Sequence, residues 1–427
     1  MKKKRDPFWK RLGPGVITGA SDDDPSGILT YLQAGAVMKT AGLWIAFFTL
    51  PLMYAVQEMC GRIGFKTDKG LSEIMRERYP KWLLFPIALV SVVVITINIG
   101  ADLLAIGTVS EGLSGISKVF WIILFSAVIT FSTIFFSYRR FAGVLKWLTL
   151  SLFCYIATVF FIKVDWGAVL LATVTPTMVF SKEWLAIVSA IIGTTISPYL
   201  FYWEAREEAE ERDEEVSRHP LRRFLVTRKK ISDIKADTFV GMLFSNVVMW
   251  FIILGASQLN ALYGVGEITS FDQAALALKP LLGEFAYSIF AVGVIGTGML
   301  AIPVLAGSVG YIVAEVFRWK EGMNKKFSEA KGFYFSIIGA ALFGAVMAIT
   351  GKDPVAMLIL TAILYSLITP PLILMILRIA NDKRLMGDKR NGPVSNILGT
   401  AAFIATGLAV VAYILSVTGL FDIILKK

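Results

Sequence analysis

Apolar residues in this chain neither alternate nor recur every third or fourth position; they run on for a membrane thickness at a time. Eleven such runs lie at approximately 13 to 36, 42 to 64, 82 to 109, 119 to 137, 147 to 162, 184 to 205, 238 to 257, 284 to 317, 333 to 350, 355 to 377 and 394 to 421. About 20 apolar residues cross a bilayer as a helix, so the pattern predicts an all-α integral membrane protein with eleven spans. The connections are short. They leave no room for a catalytic or regulatory domain outside the membrane, and residues 1–427 form a single transmembrane domain on this reading.

Charge adds the orientation. With a cytoplasmic N-terminus, all but eight of the 42 Lys and Arg fall at the cytoplasmic side, which is the positive-inside distribution. An odd number of spans then leaves Lys427 outside a cell membrane. The net charge of +10 is accounted for in this way, with attraction to anionic lipid added, and calls for no nucleic acid. The basic start, Met1 to Arg11, enters the first span without a small-residue cleavage pattern, so no signal peptide is expected. Cys60 and Cys154 lie in apolar runs without CxxC spacing, and neither a disulfide nor a thiolate metal site is expected from them. The one long polar excursion, Glu204 to Asp237, begins EAREEAEERDEE. Its charge spacing predicts that the sixth span continues into the cytoplasm as a solvated helix. The only histidine, His219, falls in that excursion and is placed outside any intramembrane site.

Ionisable residues at membrane depth are costly and face a cavity, a partner or a pathway. The deep ones here are Asp22, Asp23, Asp24 and Asp102, with Glu58, Glu204 and Glu315 nearer the cytoplasmic ends. All are acids, and with no basic residue mid-span the expected counter-charge is a transient cation. In the first run, Pro25 and Gly27 follow the three aspartates. Proline removes a backbone donor and disfavours helical geometry at the residue before it, so the helix breaks there, and freed carbonyls must line a protein-enclosed cavity. The sixth run has a matching interruption, with Thr194, Thr195 and Ser197 ahead of Pro198. Broken helices five spans apart are the pattern of transporters built from two five-helix halves that meet at a central site. The halves fall at about 13 to 162 and 184 to 378, with an eleventh helix at about 394 to 421.

These residues resemble the NRAMP family of divalent-metal transporters over nearly the whole chain. Asp24-Pro25-Ser26-Gly27 resembles the family's DPGN motif, Ser197-Pro198-Tyr199 stands at its MPH position, and stretches 293 to 311 and 361 to 376 resemble its eighth and tenth spans. The resemblance implies a LeuT-type inverted repeat of 5+5 helices with discontinuous helices 1 and 6. It implies Asp24 as the metal carboxylate, with Gly27 in place of the ligand asparagine, Ser197 in place of the ligand methionine, and Thr194 where a backbone carbonyl binds. Ala362 stands where the tenth span often brings glutamine. Tyr199 and Glu204 replace two histidines. Asp102 matches an acid of the proton route, while Ala105 replaces the glutamate beyond it. Proton coupling is therefore not expected.

Loss of a thioether shifts a site toward oxygen-loving ions such as Mg²⁺ and Mn²⁺, and Mg²⁺ keeps several waters that glycine and serine leave room for. This combination is similar to the NRAMP-related magnesium transporter branch. The expectation is import of Mg²⁺ and Mn²⁺ by alternating access, with Asp24, Gly27, Thr194 and Ser197 at the metal, and Asp22, Asp23, Asp102, Tyr199 and Glu204 along the path. No resident cofactor is expected, because the divalent cation is cargo. The competing readings are a proton-coupled Mn²⁺/Fe²⁺ importer and an amino-acid symporter, whose substrate carboxylate Asp22 to Asp24 would repel. A channel fits paired breaks less well, and no constellation of an enzyme is visible.

Overall fold

The structure is a computed structural model, and it describes residues 13–135, 152–179, 181–218 and 227–418. His219 and the start of the predicted fifth span, 147 to 151, lie outside the described residues. Among the described residues there are helices and no strands, as lipid requires of a chain whose backbone groups must pair within each segment.

The first run is two helices, α1 (Pro14–Asp22) and α2 (Pro25–Met38), separated by Asp23 and Asp24. A single 3₁₀ turn joins α2 to α3 (Leu43–Thr67). Then follow α4 (Leu71–Arg78), a short helix between spans, α5 (Lys81–Ser114) and α6 (Lys118–Phe135). Beyond the undescribed stretch come α7 (Phe153–Val159) and α8 (Trp166–Val174). The sixth run is again two helices, α9 (Lys182–Thr195) and α10 (Pro198–Arg218), broken at Ile196 and Ser197. The long helices that follow, with short helical turns between them, are α11 (Arg228–Ala256), α12 (Ala286–Phe317), α13 (Lys331–Thr350), α14 (Pro354–Asn381) and α15 (Pro393–Val417). The third and sixth spans are longer than their apolar runs, because polar ends continue the helix past the hydrocarbon.

Both breaks sit at the centre. α1 packs on α10, α11 and α12, and α2 on α9, α11 and α14, while α5 lies against α12, α13 and α14. Close approach depends on glycine. A Cβ on Gly19 would stand 2.3 Å from the Gly241 carbonyl, and one on Gly15 would stand 2.6 Å from the Thr238 nitrogen, so α1 and α11 meet backbone to backbone. A Cβ on Gly193 would lie 2.0 Å from the Ala362 oxygen, which seats α9 on α14 equally tightly. Large apolar side chains such as Phe131, Phe343 and Leu408 point outward, as a lipid-facing surface needs. The eleventh span carries many of them and is tied to α9 by the Ser189 hydroxyl, which donates to the Ala409 carbonyl at 3.0 Å.

Two expectations from the sequence are corrected. The acidic start of the excursion is not a solvated helix: Glu204, Arg206, Glu207, Glu208 and Glu210 on α10 are buried against α3, α12 and the loop after α12. Tyr311 donates to Glu210 at 2.8 Å, Asn324 donates to it at 3.2 Å, and Arg206 lies 3.5 Å from Glu321. Burial raises the Glu321 carboxyl above its ordinary range, with Arg206 opposing. Nor does Glu58 await a transient cation, since Arg62 one turn on pairs with it at 2.7 Å. The same guanidinium donates to Asn391 at 2.6 Å and to the Lys389 carbonyl. Cys60 is buried, Cys154 is half-buried, and both are free thiols.

Candidate metal site at the paired helix breaks

A helix that stops inside a membrane leaves backbone groups to be satisfied. At the first break, Asp24 has extended geometry and caps α2: its Oδ1 accepts the Gly27 amide at 2.7 Å. Its Oδ2 accepts the Asn98 side-chain amide, from α5, at 2.9 Å. Ser26 fastens the start of α2 to α14, donating to the Leu358 carbonyl at 2.8 Å with Thr361 Oγ1 at 3.1 Å. The last turn of α1 is closed from the other broken span, where the Tyr199 hydroxyl donates to the Ser21 carbonyl at 2.8 Å.

The second break is closed from within and from α14. Ser197 Oγ donates to the Thr194 carbonyl, and Thr369 on α14 donates to the Ile196 carbonyl at 3.3 Å. Gly27 shows how near the breaks are to each other: a Cβ there would lie 3.2 Å from the Asp22 oxygen and 3.4 Å from both Asp24 Oδ1 and Thr194 Oγ1. Asp24, Gly27 and Thr194 therefore share one small space, with Ser197 on the neighbouring carbonyl. Asp24 and Thr194 are each 2% exposed and Ser197 is 1% exposed, so the site is shut on both sides.

The remaining path residues divide. Asp102 is buried within electrostatic reach of Asp24, with the Ser26 backbone amide beside it and neither oxygen in full hydrogen-bond geometry with a protein donor. Asp22 and Asp23 turn toward α11, where the Ser245 hydroxyl lies 2.8 Å from one carboxylate and 3.1 Å from the other. One hydroxyl proton serves two acids, and their other oxygens have no donor. The negative end of the α1 dipole adds to this. Toward the end of the bundle where α1 begins, Glu204 accepts Thr18 at 2.5 Å and Thr238 at 3.2 Å. Asp237 accepts the Gly13 and Gly15 amides at 2.9 and 2.7 Å, capping α1.

Sequence reasoning missed Asn98, Ser245 and Thr361. Asn98 had a signal, a lone amide in an apolar run one helical turn before Asp102; hydroxyls in membrane helices give none. It also missed Met249, whose sulfur accepts the Thr195 hydroxyl at 3.6 Å beside the second break. Among the described residues no three His, Cys, Asp or Glu side chains converge as a metal cage. What the breaks offer a cation is one carboxylate with hydroxyl, amide and main-chain oxygens, in a field of three further buried acids.

Known proteins agree with this architecture. Residues 15–416 match the sequence profile of the Nramp family, described as natural resistance-associated macrophage protein-like. A divalent metal cation transporter MntH of Granulibacter bethesdensis is 25% identical over 428 residues, covering 95% of this chain and 89% of its own length. The MntH of Acidiphilium cryptum is 26% identical, covering 96% and 90%. In structure, the chain is similar to the Eremococcus coleocola manganese transporter, with a TM-score of 0.72 at 15% identity over 98% of this chain and 90% of that one. The nucleobase-cation-symport-1 family transporter Mhp1, in a closed conformation, gives a TM-score of 0.51 at 14% identity over 96% and 93% of the two chains. The fold is thus the LeuT-type inverted repeat with discontinuous first and sixth helices, in a multi-pass membrane protein. The chain belongs to the Nramp family of divalent-metal transporters, and it is not an enzyme.

Proposed function

We propose that this transporter carries Mg²⁺, and also Mn²⁺, into the cytoplasm by alternating access and without coupled proton movement. The observation that supports this most is the make-up of the closed site. Asp24 is the carboxylate between the breaks, held by the Asn98 and Gly27 N–H groups, and the oxygens beside it near Gly27 are the Asp22 carbonyl and the Thr194 hydroxyl. Hard oxygen donors with few charges suit an ion that retains water. A thioether ligand would draw softer metals, and here Ser197 stands next to the Thr194 carbonyl instead.

In this reading Asp24 is the central ligand, Thr194, Ser197 and main-chain oxygen near Gly27 complete the inner surface, and Asp22, Asp23 and Asp102 hold the negative potential that draws the ion in. Glu204 and Tyr199 close the path on the cytoplasmic side, where α1 is seated. The N-terminus is cytoplasmic and the C-terminus external, with the whole chain a single transporter domain in the cell membrane. The test is flux into proteoliposomes, comparing Mg²⁺, Mn²⁺, Ca²⁺ and Cd²⁺ with a pH dye inside. Mg²⁺ and Mn²⁺ enter without acidifying the lumen, Cd²⁺ is poorly carried, and Asp24→Ala abolishes uptake. Cd²⁺ entry that Mg²⁺ does not compete with, accompanied by acidification, overturns the proposal in favour of a proton-coupled carrier.

A further inference from the structure

We infer that Asn98 is a specificity-determining residue of the site, its side-chain oxygen receiving a water of the cargo's hydration shell beside Asp24. The inference rests on the reading of a hydrated divalent cation as cargo. Asn98 lies in α5, fully buried, with its Nδ2 donating to Asp24 Oδ2 at 2.9 Å.

The orientation of that amide follows from chemistry. An ionised carboxylate only accepts hydrogen bonds, so the NH₂ end must face Asp24 and the oxygen must face away. That oxygen has no partner in full hydrogen-bond geometry among the described residues, with the Tyr365 hydroxyl beside the amide. One helical turn on, at the i+4 position and so on the same face of α5, Asp102 carries two more buried oxygens without a partner in full hydrogen-bond geometry, the Ser26 amide being the donor beside them. Buried acceptors normally find well-aligned donors, and three that lack one on one helical stripe, next to a carboxylate already placed at the paired breaks, mark a surface made for water or a cation.

The neutrality of Asn98 is what confers preference. A second carboxylate there would reward stripping of the ion's water, which Mg²⁺ resists more than its competitors. An amide oxygen accepts a hydrogen from coordinated water without adding charge, and its nitrogen fixes the Asp24 carboxylate at the same time. Asn98 thus couples the position of the central carboxylate to the size of the hydrated guest.

The test compares wild type, Asn98→Ala, the near-isosteric Asn98→Asp and Asp24→Ala in one proteoliposome assay, fitting KM and maximal rate for Mg²⁺ and Mn²⁺ separately. Asn98→Ala is expected to raise the Mg²⁺ KM about tenfold with the maximal rate within twofold. Asn98→Asp is expected to move the Mg²⁺ to Mn²⁺ preference about tenfold toward Mn²⁺. A merely structural role would lower both maximal rates together and leave the ion preference alone. That outcome in Asn98→Asp, or KM values within twofold of wild type in both variants, overturns the inference. Should wild type carry neither ion, or Asp24→Ala carry both, the cation reading itself falls, and the same plate of data shows which of the two has failed.

Discussion

Replacing Gly19 by alanine tests whether the seat of α1 on α11 holds the site shut. The added Cβ would stand 2.3 Å from the carbonyl carbon and oxygen of Gly241, about an ångström short of ordinary contact, and both obstacles are backbone. α1 must therefore retreat by about that distance. The bonds that hold it, Gly15 to Asp237 at 2.7 Å and Thr18 to Glu204 at 2.5 Å, would be stretched out of range. Overpacking costs about 1–3 kcal/mol, and each hydrogen bond lost about 1 kcal/mol or more. A net shift of about 3 kcal/mol against the shut state moves its ratio to the open state by about a hundredfold. The assay is modification of a cysteine introduced at the fully buried Ser21, in a background with Cys60 and Cys154 replaced by alanine, using a water-soluble maleimide. Labelling should accelerate by about two orders of magnitude in Gly19→Ala. Gly339 on α13 has open space around it, so Gly339→Ala is the control and should leave the rate unchanged. Labelling at the control rate in folded Gly19→Ala would refute the seating argument.

Three further outcomes are expected. Gly27→Asn combined with Ser197→Met supplies an amide and a thioether at the breaks, and should lower Mg²⁺ uptake at least about tenfold while admitting Cd²⁺; side-by-side flux reads both. Arg62→Gln takes from buried Glu58 its guanidinium partner at 2.7 Å and leaves it Lys235 at 3.7 Å, a loss of about 3 kcal/mol, and should lower the melting temperature in detergent by several degrees. Glu58→Gln with Arg62→Gln should recover part of that loss, and a double variant no more stable than Arg62→Gln would remove the ion pair as its cause. Tyr199→Phe leaves the Ser21 carbonyl without its donor, which costs about 1–3 kcal/mol and should accelerate labelling at position 21 in the assay above, without the clash that Gly19→Ala introduces.

The two breaks were legible because proline announces itself chemically: Pro25 and Pro198 remove donors that a helix needs, whatever surrounds them. The spans were legible because lipid leaves one solution to a 20-residue apolar run. The stretch after Glu204 misled for an equally physical reason. Acids four residues apart describe a solvated helix if nothing else is near, and their partners Thr18, Tyr311 and Asn324 are far away in sequence and carry no periodic signature. Asp24 was found from its neighbours along the chain, whereas Asn98 reaches it from 74 positions away, across a distance only folding closes. The pairing of Asp22 and Asp23 with Ser245 belongs to the same class, since one hydroxyl in an apolar helix looks like any other.

Asp24 also finishes the end of α2, and this bears on the journey the carrier makes with nothing aboard. In the uncoupled cycle proposed above the carrier has to reset between rounds, and a bare anion dragged through hydrocarbon would make that step prohibitive. Because the Gly27 amide, the Asn98 amide and the positive pole of α2 stay with the carboxylate after the ion departs, the vacated seat keeps part of its own compensation, which is what the proposed proton-independent reset requires.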